Sequence, residues 1–192
     1  IILGNITFQL MSDSTSQGMT SIIGASSLLK KVRINRWVFP VEKVLFAMVN
    51  FAFSFVAVIL VMVVAGVAPT PCMLLLPLWL ALVGIFCAGL SLFLSTASVF
   101  FRDVIHLWGV VLTAWTYATP LFYTQELLPP WMLEVELANP MYHYVNVVRD
   151  LVLYGRMPNP NAFLACAFFA LFFLALGYVV FRKNEHKFIL YI

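Results

Sequence analysis

Charge is what this chain has least of. Only 10% of its 192 residues are Asp, Glu, Lys or Arg, against about 25% in an average soluble protein. Hydrophobic residues make up 63%, and the mean hydropathy is +0.99. A soluble fold of this length has too little interior to hide so much apolar side chain, so the solvent is lipid. Disorder, a collagen repeat and a disulfide scaffold are excluded by the same figures. Cysteine is scarce too. Cys72, Cys87 and Cys166 are far apart, lie in or beside apolar runs, and read as small hydrophobes rather than metal ligands or a disulfide. The net charge is only +3, with the basic residues beside apolar spans, which argues against a nucleic-acid partner. Nothing matches G-x-x-x-x-G-K-[ST], so no phosphate-binding loop and no cofactor are expected in this chain. The sequence starts at Ile1 and shows neither the basic n-region nor the cleavage site of a signal peptide.

Gaps between charges locate the spans. Residues 44–101 hold no Asp, Glu, Lys or Arg. A span needs about 20 residues, so this stretch predicts two helices, about Val44–Val67 and Met73–Ser98, with a turn at Ala68-Pro69-Thr70-Pro71. A third uncharged stretch runs from Val104 to Gln125 and ends in Thr119-Pro120-Leu121-Phe122-Tyr123. A fourth span starts near Ala162 and stops at Arg182-Lys183. Residues 1–27 carry one charge, Asp13, but many hydroxyls and amides. They predict a span inside a bundle, with the polar side on neighbours or on a water-filled path. The fold class is therefore an all-α polytopic membrane protein of about five transmembrane helices, with a short outer re-entrant or interfacial helix pair, in one transmembrane domain over 1–192.

Lysine and arginine set the orientation. Segments 24–43, 99–103 and 182–192 hold nine of them, and 68–72 with 124–161 hold two, Arg149 and Arg156. The first set, with the C-terminus, is expected in the cytoplasm. Five spans then leave the N-terminal end outside. One further span upstream would restore a cytoplasmic start, so an N-terminal piece is expected to be missing.

Two segments are not spans. The basic loop 24–43 contains Ser27-Leu28-Leu29-Lys30-Lys31-Val32. Ser26 or Ser27 fits as the cap of a short helix with Leu28, Leu29 and Val32 on one face. The plain reading is an orientation-setting loop; the functional one is a docking helix for a cytoplasmic partner. The outer segment 124–161 contains the Pro-broken stretch around Pro130 and Trp131. Asn139-Pro140 then opens a helix with a good N-cap and Pro at N1. Met141, Val145, Val148 and Val152 recur on one side, Tyr142, Arg149 and Asp150 fill the others, and Gly155 is a natural stop. It reads either as a passive interfacial helix or as a gate.

These residues resemble a family. Leu28-Leu29-Lys30-Lys31-Val32 followed by Val38-Phe39-Pro40 is similar to the cytoplasmic loop of type-2 ABC exporter permeases, in particular those exporting O-antigen, capsule and teichoic acid. Val99-Phe100-Phe101-Arg102-Asp103-Val104, Thr119-Pro120-Leu121-Phe122-Tyr123, and Asn139-Pro140 with Val148-Arg149-Asp150 and Tyr154-Gly155 resemble further elements of that subgroup in the same order. The resemblance covers the whole chain and implies six spans per subunit, the first missing here, and a homodimeric pore. It also implies a separate ATPase, holding ATP and magnesium, that docks on Ser27–Val32, and a glycan or lipid-linked glycan as cargo beside membrane lipid. The chain itself would be a transport subunit and no enzyme. Drug export by a related type-2 permease and a non-transport membrane scaffold remain as alternatives.

A glycan path must offer hydrogen bonds and stacking faces. Asn5, Gln9, Ser12 and Ser16 recur at helical spacing with Asp13 beside them, and predict one wall; interhelical hydrogen bonding is the alternative. Trp108, Trp115 and Tyr117 are the aromatic candidates, against an interfacial belt. Arg102 and Asp103 are expected to clamp a tight turn, paired with each other or with a neighbouring span.

Overall fold

The computed structural model describes residues 2–31, 34–64, 71–119, 121 and 136–191, and no strand occurs among them. The helices are α1 (Ile2–Gly24), α2 (Ser26–Leu29), α3 (Val38–Val64), α4 (Leu76–Phe100, preceded by a 3-10 turn Pro71–Leu75), α5 (Val104–Ala118), α6 (Pro140–Val152), α7 (Pro160–Asn184) and, after a 3-10 turn Glu185–Lys187, α8 (Phe188–Tyr191).

Three of these are long and apolar enough to cross a membrane: α3, the 3-10 turn with α4, and α7 with its following turn. Of the segment expected to run from Val104 to Gln125, residues 120 and 122–125 lie outside the described ones, and α5 covers Val104–Ala118, 15 residues. At about 1.5 Å per residue that is shorter than a hydrocarbon core of about 30 Å. The helix ends there because a residue before proline disfavours the α region; Thr119 is extended, at φ −94° and ψ 134°. The cytoplasmic-type loop is shorter than 24–43, since α3 already starts at Val38, with Pro40 tolerated in its first turn. The predicted Ser26 or Ser27 cap does not form. Ala25 occupies the cap position without a side-chain bond, and both serines lie inside the turn. The predicted turn at 68–70 falls outside the described residues, as do Val32, Pro130 and Trp131.

The first segment is a continuous 23-residue helix at the centre of the bundle, packed against α3, α4, α5 and α6. Its contact face buries Gly4, Thr7, Phe8, Met11, Ser14, Thr15 and Gly18. The buried hydroxyls are satisfied within the bundle. Thr7 donates to the Leu3 carbonyl (2.8 Å) and Thr15 to that of Met11 (2.7 Å). From α4, Ser91 donates to the Ser14 carbonyl (3.0 Å) and Ser98 to that of Met19 (2.7 Å). Lipid offers no hydrophobic drive between helices, so such bonds and close small-residue packing hold a membrane bundle. The closest approach joins α4 and α7. A Cβ added at Gly177 would overlap the Gly89 carbonyl, and one at Gly89 would strike the backbone of Phe173 and Leu174.

Outward, α3 and α7 show lipid-type side chains. Phe53 is 72% exposed, and Leu60, Val63, Leu164, Phe168 and Leu171 are exposed with it. Helix α6 is no passive surface helix. Met141, Tyr144, Val145, Val147, Val148 and Leu151 are fully or almost fully buried, against α1, α4 and α7. The buried Trp79 indole donates to the Tyr144 carbonyl (3.0 Å), and the Tyr144 hydroxyl to the Cys166 carbonyl (2.8 Å).

Candidate functional site

The site grows from the uncovered side of α1. Asn5, Gln9, Ser12, Asp13, Ser16 and Thr20 point away from the core, and all are exposed or half-exposed. In a bundle whose other outward faces are apolar, this stripe is inverted. Hydrocarbon would cost several kcal/mol for each unpaired polar group, so the stripe belongs against water or protein. Its internal bonding is sparse: Gln9 donates to the Asp13 carboxylate at 3.4 Å.

Helix α5 stands beside the N-terminal half of the stripe. Between them lies a groove of about 390 Å³, lined by Asn5, Phe8, Gln9 and Ser12 from α1 and by Gly109, Leu112, Thr113, Thr116 and Tyr117 from α5. A Cβ on Gly109 would meet nothing within 4 Å, so that glycine keeps the wall open. The Tyr117 ring is 72% exposed. Amide, hydroxyl and aromatic groups thus share one surface, the combination that binds a polyol: the ring stacks and the polar groups bond. Among the described residues no three His, Cys, Asp or Glu side chains gather as metal ligands.

The expected wall residues divide. Asn5, Gln9, Ser12 and Tyr117 meet in the groove. Asp13 and Ser16 continue the stripe beyond it. Trp108 and Trp115 do share a face, with centroids 6.3 Å apart and planes at 89°. Their N–H groups are engaged elsewhere. Trp108 donates to the Thr15 hydroxyl (3.1 Å) and Trp115 to the Asn139 side chain (2.8 Å). They tie α5 to α1 and to the start of α6.

Asn139 is a hub where α5 ends and α6 begins. Its side-chain oxygen accepts from the Met141 N–H (3.1 Å), forming the expected cap with Pro140 in the first turn. Its amide donates to the Thr119 hydroxyl (3.1 Å) and to the Glu136 carboxylate (3.3 Å). Burial pushes the Glu136 carboxyl above its ordinary range, and the Asn139 hydrogen bond opposes this. Arg149 donates to the Leu121 carbonyl (3.1 Å), bridging α6 to the end of α5 beside Gly4. Asp150 pairs with Arg156 (2.7 Å), and the Arg156 guanidinium lies 4.9 Å from the Tyr154 ring. Gly155 takes φ 57°, the left-handed conformation that turns the chain toward α7. Tyr142 is half-buried, its ring edge-on to His143 at 5.4 Å.

At the opposite end, Arg102 and Asp103 form the α4–α5 turn through their backbones, where Ile105 and His106 N–H groups donate to their carbonyls (3.2 and 3.1 Å). Both residues are exposed. This end also carries Lys30, Lys31, Arg36, Lys43, Arg182, Lys183 and Lys187.

The sequence pattern of the ABC-2 type transporters matches residues 1–153. The chain belongs to the ABC-2 type transporter family. It is a multi-pass membrane protein, and its uncovered polar groove lies within the matched region. It is similar over 98% of its length to two proteins of Klebsiella pneumoniae named O-antigen export system permease protein RfbA, each 24% identical and each covered over 73%. A protein of the same name from Myxococcus xanthus is 25% identical over 193 residues, again 73% of that relative. ABC-2 membership sets the residues singled out above in a transport context.

Proposed function

We propose that this chain is the membrane-spanning subunit of an ATP-driven exporter that moves a cell-surface polysaccharide or polyol-phosphate polymer, lipid-linked, across the bacterial cytoplasmic membrane. The observation that carries the reading is the inverted polar stripe of α1 with its groove against α5. A drug or other lipophilic cargo needs no such wall; a glycan does. The similarity to O-antigen export permeases supports the same cargo class.

In this reading a second copy of the chain covers the open side of the groove, and the two stripes enclose one hydrated path. Asn5, Gln9, Ser12 and Thr116 exchange hydrogen bonds with successive hydroxyls, and Tyr117 offers a stacking face. Sequence-tolerant contacts of this kind suit a polymer that must slide and not settle. The end rich in lysine and arginine faces the cytoplasm with the C-terminus. A partner ATPase there binds ATP and magnesium and docks on Ser27–Val32. Leu28, 43% exposed, is the apolar knob, and Lys30 and Lys31 are its basic collar. Helix α6, the Asn139 hub and the Arg149 bridge hold the outer mouth.

The test is complementation of a strain lacking the gene. A Gln9→Leu, Ser12→Leu double variant is expected to reach the membrane and to co-purify with the ATPase at the level of the unsubstituted protein. Surface polysaccharide should be lost while lipid-linked polymer accumulates inside. Normal surface polysaccharide from that variant overturns the reading.

A further inference from the structure

Adjacent leucines of the loop face opposite ways. Leu28 is exposed, whereas Leu29 packs inward. The cluster that receives Leu29 is separate from the main core. It joins Ile22 at the end of α1, Leu92 and Val99 of α4, Phe181 of α7 and Phe188 of α8, all at most 4% exposed. Phe188 is fully buried, its ring 5.3 Å from Phe181 and 6.1 Å from Phe100. Tyr191 adds an edge contact to Phe100 at 4.9 Å. The C-terminal segment therefore folds back under α4 and closes this small core from below. A second tie runs from the far side of the same loop, where the Arg36 guanidinium donates to the Glu185 carbonyl. Glu185 is itself held by Arg182 at 2.8 Å.

We propose that Phe188, with Tyr191 and Glu185, is a positioning element: it fixes the inner side of the basic loop, so that a push on Leu28 is delivered through Leu29 to α4 and α7. Without it the same push would act on the loop alone. Packed side chains with few alternative arrangements transmit displacement in this way, because close-packed interiors yield little. The inference rests on the reading above that the loop receives the ATPase. Its anchoring half does not need the partner.

The test uses the full-length chain in lipid nanodiscs, with and without its ATPase. First, amide hydrogen exchange of residues 26–31 is compared in the unsubstituted chain, Phe188→Ala and Phe188→Leu, with no partner present. Exchange is expected to quicken in Phe188→Ala and to return in Phe188→Leu, which refills the cluster. Unchanged exchange in Phe188→Ala overturns the anchor. Second, the complex is assayed for polymer moved per ATP hydrolysed. Phe188→Ala should keep the ATPase bound and hydrolysing while polymer per ATP falls about tenfold, within the range of ordinary coupling energies. Phe188→Leu should recover it. A Phe188→Ala complex with unchanged polymer per ATP overturns the proposal. So does one in which binding, hydrolysis and export fall together, since that reports a merely structural residue. Failure of the unsubstituted chain to bind any ATPase would instead overturn the proposed function, leaving the exchange result to judge the anchor by itself.

Discussion

Replacing Asn139 with alanine removes four hydrogen bonds through one side chain. Loss of the cap on the Met141 N–H costs about 1 kcal/mol. The Trp115 indole loses its acceptor in a half-buried position, which costs about 1–3 kcal/mol. Thr119 keeps its own donation to the Trp115 carbonyl (2.9 Å), and Glu136 loses one donor, so these add little. The sum is about 3 kcal/mol. For a chain of this size that corresponds to a fall in Tm of about 6–12 °C. The assay is thermal unfolding of the purified protein in detergent, run as a double-mutant cycle with Trp115→Phe. If Trp115 is orphaned by the loss of Asn139, removing its N–H as well must recover part of the penalty, and the two effects are less than additive. A Tm within about 1 °C of the unsubstituted protein, or strict additivity with Trp115→Phe, would refute the hub.

Glu136 gives a pH prediction. Its folded carboxyl is raised above the ordinary value of 4.5, so the folded state holds its proton more tightly than the unfolded one. That contribution is present at low pH and is lost as pH rises from 4.5 through the raised value. Glu136→Gln is expected to flatten this part of the stability profile and to stabilise the protein at neutral pH, as read by melting temperature against pH. Gly109→Phe should fill the groove without a clash, since its Cβ direction is open; export should stop with the melting temperature unchanged. Export at the normal rate would place the path elsewhere.

Much of the architecture was legible because lipid imposes simple rules. Charge-free stretches located α3, α4 and α7, and the Asn139-Pro140 pair located the start of α6 to the residue. The polar spacing of Asn5, Gln9 and Ser12 named one side of the groove, because a single helix fixes its own faces. Its other side was only partly visible: Tyr117 was readable as a polar-tipped aromatic, but Thr113, Thr116 and Gly109 carry no signal until α5 is placed beside α1. The tryptophans show the same dependence on neighbours. A polar-tipped ring in an apolar helix suits both a cargo wall and a hydrogen-bonded tie, and only the neighbours at Thr15 and Asn139 distinguish them. The Gly89–Gly177 crossing and the opposite orientations of Leu28 and Leu29 also depend on partners far away in sequence, which periodicity does not encode.

The most direct test of the central claim is whether the α1 stripe faces water. Cysteines are placed singly at Asn5, Gln9 and Ser12, and as lipid-facing controls at Phe53 and Leu60, in a Cys72→Ser background; the native Cys87 and Cys166 are buried. A membrane-impermeant maleimide is then applied to the assembled exporter in its membrane. Labelling is expected at 5, 9 and 12 and none at 53 or 60. Unreactive cysteines at 9 and 12, with labelling no greater than at 53, would contradict it.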